Sequence, residues 1–140
     1  MKNGKKGVVR DIMMGAPVTL GPDDTLNLAN DVIFLGRIRH IPVVEGGKLL
    51  GLISERDLFG TAAIRLFGLK QKSKSDLLKT VLIKDVMKKR VTTVTPDTPI
   101  ADAAHLMADK KIGCVPVISD GSLIGLVTTT DILRYVDAIA

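Results

Sequence analysis

The feature that most constrains this chain is that it repeats itself. Displaced by 74 positions, residues 9–59 align with residues 83–133 without a gap, and 14 of the 51 pairs are identical. The identities include Asp11/Asp85, Met13/Met87, Pro22/Pro96, Pro42/Pro116, Gly51/Gly125 and Asp57/Asp131. A gapless register of that quality marks two copies of one structural unit. A unit of about 50 residues buries too little surface to be stable alone, so the two copies are expected to pack sheet to sheet around a shared core.

Both copies have the same layout. A short helical turn ("VRDIM", "IKDVM") precedes a brief extended segment ("PVTL", "VTTV"). Pro22-Asp23 and Pro96-Asp97 then suit a turn into a helix start, where acids face the positive end of the helix. Leu26, Ala29, Ile33 and Phe34 recur at helical spacing in the first copy, as do Ile100, Ala103, Ala104 and Met107 in the second. A strand ("HIPVV", "CVPVI"), a hairpin turn at Gly46-Gly47 or Asp120-Gly121 and a second strand ("LLGLIS", "LIGLVT") follow. A last helix is expected from Glu55 to about Phe67 and from Thr129 to about Ala138. The order strand–helix–strand–strand–helix predicts an α/β (α+β) fold. The chain divides into a basic tail (1–7), a first repeat (8–67), a polar basic connector (68–80) with Gly68 as a helix stop, and a second repeat (81–140).

Charge is unevenly spread. The net +5 resolves into +4 over residues 1–10, +4 over 60–80 and +3 over 84–90, leaving −6 for the rest. Such patches attract polyanions non-specifically, but no basic stripe runs along the folded parts. With no Trp, one Tyr and three Phe, the chain also lacks a base-stacking platform. Cys114 is the single cysteine, so no internal disulfide forms. No apolar run approaches the length of a membrane span and none of signal-peptide type follows the first lysines, which leads us to expect a cytoplasmic protein with no membrane partner.

The segments that carry chemistry are "GLISERD" (51–57) and "GLVTTTD" (125–131), each placed where a strand turns into a helix. Ser54 and Thr128 fall at the helix start, where free N–H groups and the helix dipole favour an anion. Three residues on, Asp57 and Asp131 can accept hydrogen bonds from a vicinal diol, as carboxylates do when dinucleotide folds hold ribose. Gly51 and Gly125 leave room for close approach. The same spacing is also that of a helix capping box, which needs no ligand, and the residues alone leave both readings open.

The repeat spacing, the hydrophobic-Pro-hydrophobic strands and the two Gly-x-x-Ser/Thr-x-x-Asp segments resemble a tandem pair of cystathionine β-synthase (CBS) domains, the Bateman module, over about residues 8–137. The resemblance implies a pseudo-twofold pair that is regulatory and non-catalytic, with no obligatory cofactor or metal, binding an adenosine compound such as AMP, ADP, ATP or S-adenosylmethionine. Carried over by position, Asp57 and Asp131 would hold ribose hydroxyls, and Ser54 and Thr128 would contact phosphate or ribose. Adenine would lie between the first short strand (Val18; Thr92, with Met13 and Met87 adjacent) and the second (Ile41, Pro42; Val115, Pro116).

The two sites differ. Arg39, His40 and Arg56 stand in the first copy where Gly113, Cys114 and Thr130 stand in the second. The first site is therefore expected to prefer phosphorylated ligands and the second a less charged one. A nucleophilic Cys114–His40 dyad is the one catalytic arrangement the residues allow, and His105 is expected on a helix surface. Leu58, Phe59, Ala62, Ala63, Leu66 and Phe67, with Ile132, Leu133, Val136 and Ile139, give the last helices apolar faces that suit a homodimer. A ligand-free scaffold and a polyanion-binding protein are the competing functions.

Overall fold

The computed structural model describes residues 7–58, 60 and 78–140. In chain order its elements are β1 (Met14–Gly15), α1 (Leu26–Gly36), β2 (His40–Glu45), β3 (Lys48–Ser54), α2 (Ile100–Lys110), β4 (Cys114–Ser119), β5 (Ser122–Thr128) and α3 (Thr129–Ile139). Short 3-10 turns occupy Val9–Asp11 and Ile83–Asp85, and residues 55–58 are helical. This is the expected mixed α/β fold with antiparallel sheets. The expected connector and most of the first copy's last helix, including Phe59, Ala62, Ala63, Leu66, Phe67 and Gly68, lie outside the described residues.

The chain forms two compact units, and these differ from the two repeats. One is Val18–Arg90; the other joins the chain up to Pro17 to Val91–Ala140. Each unit thus takes its leading segment from the other repeat. In the first, the Leu26 N–H donates to the Val81 carbonyl (2.9 Å), Ile83 N–H to Asp24 (2.8 Å) and Lys84 N–H to Pro22 (3.0 Å). In the second, the equivalent bonds run from Ile100 to Gly7 (3.0 Å), Val9 to Thr98 (2.8 Å) and Arg10 to Pro96 (3.0 Å). An exposed ion pair accompanies each set, Lys84–Asp23 at 3.0 Å and Arg10–Asp97 at 2.8 Å.

Within each unit an antiparallel hairpin carries the leader on one edge. β2 pairs with β3 and β4 with β5, each with an irregularity after the valine that follows the strand proline, Val43 or Val117. The hairpins close on two left-handed residues, Gly46 and Gly47 (φ +59° and +80°) or Asp120 and Gly121 (+50° and +79°), whose twist matches that of the strands. β1 pairs with β5, while the equivalent Lys88 makes a single bridge to Leu52. The expected first strands reduce to one parallel bridge each, Leu20 to Val43 and Val94 to Val117. Pro42 and Pro116 explain the shortness: neither has the N–H that the next rung would require.

Strand alternation divides the side chains between two faces. Ile41, Val43 and Ile53 turn inward to Leu26, Ala29 and Ile33 of α1 and to Leu58, Leu78, Val81 and Ile83. In the other unit Val115, Val117 and Val127 meet Ala103 and Met107 of α2, with Val9 and Val94. Phe34 departs from the expected apolar face and is 80% exposed, because Leu26, Ala29 and Ile33 complete the buried stripe and Phe34 lies beyond it. The leader sits tight against the sheet at Gly51, where a Cβ would come within 2.6 Å of Met87 Sδ and 2.7 Å of the Lys88 carbonyl oxygen. Gly125 stands equally close to Met13 and Met14, whereas a Cβ on Gly15 would meet nothing within 4 Å. Gly51→Ala should therefore cost about 1–3 kcal/mol by overpacking against a backbone carbonyl. Gly15→Ala should stay within about 1 kcal/mol of the parent. Urea unfolding of the two variants checks the contrast.

Candidate functional site

Each unit places its hydroxyl and carboxylate at the end of the hairpin. Ser54 closes β3 and starts the following helix: its Oγ accepts from the Asp57 N–H (3.1 Å), and Asp57 Oδ2 accepts from the Ser54 N–H (3.1 Å). Thr128 and Asp131 repeat the arrangement, with Thr128 N–H to Asp131 Oδ2 at 2.8 Å and Asp131 N–H to Thr128 Oγ1 at 3.4 Å. The Thr128 hydroxyl also donates to Asp131 Oδ2 (3.0 Å). The capping box thus exists in both copies. It uses Oδ2 alone, so among the described residues Oδ1 of each aspartate keeps its lone pairs for another donor, such as one hydroxyl of a diol.

The strand residues surround this pair. His40 sits opposite Ser54, and Cys114 opposite Thr128. Counting along the strands in twos, His40, Pro42, Leu52 and Ser54 share the sheet face turned away from α1, and Cys114, Pro116, Leu126 and Thr128 share the equivalent face. Ile41 and Val115, expected beside adenine, have their side chains in the core and offer only backbone. The missing proline N–H has a further effect. In a longer parallel ladder residue 42 would donate to the Val18 carbonyl and residue 116 to that of Thr92. Among the described residues no backbone N–H reaches either oxygen, so each can accept from an amino group such as that on a purine edge. Arg39 and Arg56 are exposed, as is Thr130.

The structure exchanges the two methionines. Met87, from the second repeat, lies against Gly51 in the unit of Ser54 and Asp57, while Met13 lies against Gly125 in the unit of Thr128 and Asp131. The same exchange brings in a residue that sequence reasoning missed. Lys88 pairs with Leu52, and its charge acts on His40 together with those of Asp57 and Arg39. The repeat alignment held the signal, since position 88 matches Met14, but only the crossed leader shows which site it joins.

Electrostatics separate the two sites. Burial lowers the His40 pKa below its usual value; Asp57 opposes this, and Lys88 and Arg39 reinforce it. Burial, followed by the nearby Asp131 carboxylate, pushes the Cys114 thiol up to about 12. Cys114 is therefore a packed thiol at neutral pH, without the thiolate that a nucleophilic dyad needs. His105 is exposed on α2, as expected, and lines an open groove of about 710 Å³ with Thr93, Asp102 and Asp120. A second concavity of about 320 Å³, bordered by Phe34, Arg37, Arg39 and Glu55, shares only Arg39 with the expected site.

The lowered His40 pKa fixes a pH dependence. The unfolded chain binds a proton more readily at this residue than the folded chain does, so stability is lost as pH falls through the folded pKa. Urea midpoints between about pH 7 and pH 5 should fall more steeply in the parent than in His40→Gln. Identical slopes would mean that His40 titrates alike folded and unfolded.

Comparison with known proteins bears on what such an arrangement is. The family model of the CBS domain matches residues 9–63 and 83–138. A CBS domain-containing protein of Dictyostelium discoideum is 30% identical over 130 residues, spanning 91% of this chain and 90% of that protein. Homoserine O-acetyltransferase of Methanohalobium evestigatum is 35% identical over 131 residues, 92% of this chain but 24% of the enzyme. The chain thus spans about a quarter of that relative, and the enzyme-named matches concern the CBS part. Among solved structures, the CBS domain pair of protein MJ0100, in complex with 5′-methylthioadenosine and S-adenosyl-L-methionine, superposes with a TM-score of 0.78 at 26% identity, covering 97% of this chain and 100% of that one. With both repeats matched at the register read from the sequence, the chain belongs to the CBS-domain family and carries two CBS domains in tandem.

Proposed function

We propose that the chain is a regulatory module binding an adenosine compound in each compact unit, at Ser54/Asp57 in one and Thr128/Asp131 in the other. The observation that carries this reading is the twice-built carboxylate whose Oδ2 is held by the helix start while Oδ1 remains available to a ribose diol. The Val18 and Thr92 carbonyls supply acceptors for the adenine amino group, while Pro42 and Pro116 are fully buried and act by leaving those carbonyls without a backbone partner. The complex of MJ0100 with 5′-methylthioadenosine and S-adenosyl-L-methionine supports the ligand class. Arg39, His40 and Arg56 favour a phosphorylated compound at the first site, whereas Gly113, Cys114 and Thr130 give the second no cation to meet phosphate. The module performs no chemistry of its own; ligand acts by binding two conformations with different affinity.

Thermal unfolding with AMP, ADP, ATP and S-adenosylmethionine tests the reading. A ligand at about 100 times its Kd adds about 2.7 kcal/mol, a shift of several degrees at this size. Asp57→Ala or Asp131→Ala should abolish the shift of the ligand held at that site, each variant being compared with its own unliganded Tm. No shift with any of the four compounds would leave the scaffold function in its place.

The second proposal concerns assembly. α3 has no buried residue, and Leu133, Val136 and Ile139 are exposed on it. Their spacing gives one apolar face, which we assign to a homodimer. Sedimentation equilibrium should give twice the 15.0 kDa chain mass, and Leu133→Glu should return the monomer. A monomeric parent at tens of micromolar would refute the assignment.

A further inference from the structure

We infer that Lys88, carried by the leader of the second repeat, is the residue that selects an anionic ligand at the first repeat's site, and that Met14 makes the other site indifferent to ligand charge. The inference rests on the adenosine reading above and extends it to a residue outside the repeat whose site it serves.

The geometry comes from one pair of backbone bonds. The Lys88 N–H donates to the Leu52 carbonyl (2.9 Å) and the Leu52 N–H to the Lys88 carbonyl (3.0 Å). Residues that exchange both bonds in an antiparallel pair project their side chains to the same face. Leu52 lies two positions before Ser54, so Lys88 shares its face with Ser54 and His40. Its side chain is exposed and forms no ion pair among the described residues. It also lies close enough to His40 to add to the depression of its pKa, as Arg39 does. Lys88 and Arg39 thus both act on His40 beside Asp57, with Glu55 next to Arg39, and an anion would relieve the repulsion between the two cations.

The other unit is the control provided by duplication. Met14 pairs with Leu126 in the same register, and Leu126 lies two positions before Thr128. Around Asp131 the matching positions are Met14, Gly113, Cys114 and Thr130, none of which carries a positive charge at neutral pH. The backbone is the same; the charge is not. Because the same backbone position holds methionine in one unit, Lys88→Met is a substitution this fold already accommodates.

The test is calorimetric titration of ATP and of adenosine at about 0.1 M salt. The first site is isolated in an Asp131→Ala background and the second in Asp57→Ala. At the first site ATP should bind more tightly than adenosine, and Lys88→Met should weaken ATP by about tenfold while leaving adenosine unchanged. At the second site Met14→Lys should raise the ATP-to-adenosine preference. If adenosine binds but the preference is unmoved by Lys88→Met, this inference is overturned and the adenosine reading stands. Failure of the otherwise unaltered chain to bind either compound would overturn both.

Discussion

Between Leu52 and Lys88, two backbone hydrogen bonds of 2.9 and 3.0 Å tie the start of the second repeat onto β3, the last strand of the first. Much else in that unit depends on this junction. It requires a glycine at position 51, because Met87 and the Lys88 carbonyl occupy the space where a Cβ would stand. It seats Ile83 and Val81 in a core shared with α1, the β2–β3 hairpin, Leu58 and Leu78. The same junction, between β1 and β5, brings Met13 and Val9 into the other unit. A repeat of about 50 residues is short of buried surface, and a leader borrowed from the other copy supplies part of what it lacks.

The helix starts show how one carboxylate can serve two purposes. As a capping group, Asp57 or Asp131 satisfies an N–H that the helix would otherwise leave unpaired. That bond also fixes the rotamer, so the remaining oxygen is held in place before any ligand arrives. Side-chain freedom already lost in the free protein is not lost again on binding. Cap and proposed site are therefore complementary descriptions of the same residues.

Much of this was legible in the sequence. The gapless 74-residue register located both hairpins, their left-handed turns and both Ser/Thr-x-x-Asp segments, because local rules decide them. Gly46-Gly47 and Asp120-Gly121 specify their turns without help from the rest of the chain. The leaders were harder. Nothing local to "IKDVMKK" or "RDIMMG" states which hairpin edge it will join, since both edges present the same glycine and the same unpaired backbone groups. The exchange of Met13 and Met87, and with it the placement of Lys88, depends on tertiary pairing that periodicity does not encode. Phe34 fell to a simpler limit: three well-spaced residues already filled the buried stripe of α1.

The crossed leader also bears on how a bound ligand would act. Asp57 and Ser54 belong to the hairpin, whereas Lys88 belongs to the leader that docks on its edge. A ligand held by ribose at one and by phosphate at the other bridges the two segments. Its binding free energy would then add to that of the docked leader and be lost if the leader detached, so such a ligand would favour the docked form. In the other unit Met14 makes no charged contact, and a ligand held by Asp131 alone does not distinguish docked from detached leader through its phosphates. On the proposed reading, two sites built on one backbone plan would differ in what they bind and in how strongly occupancy would hold the leader in place.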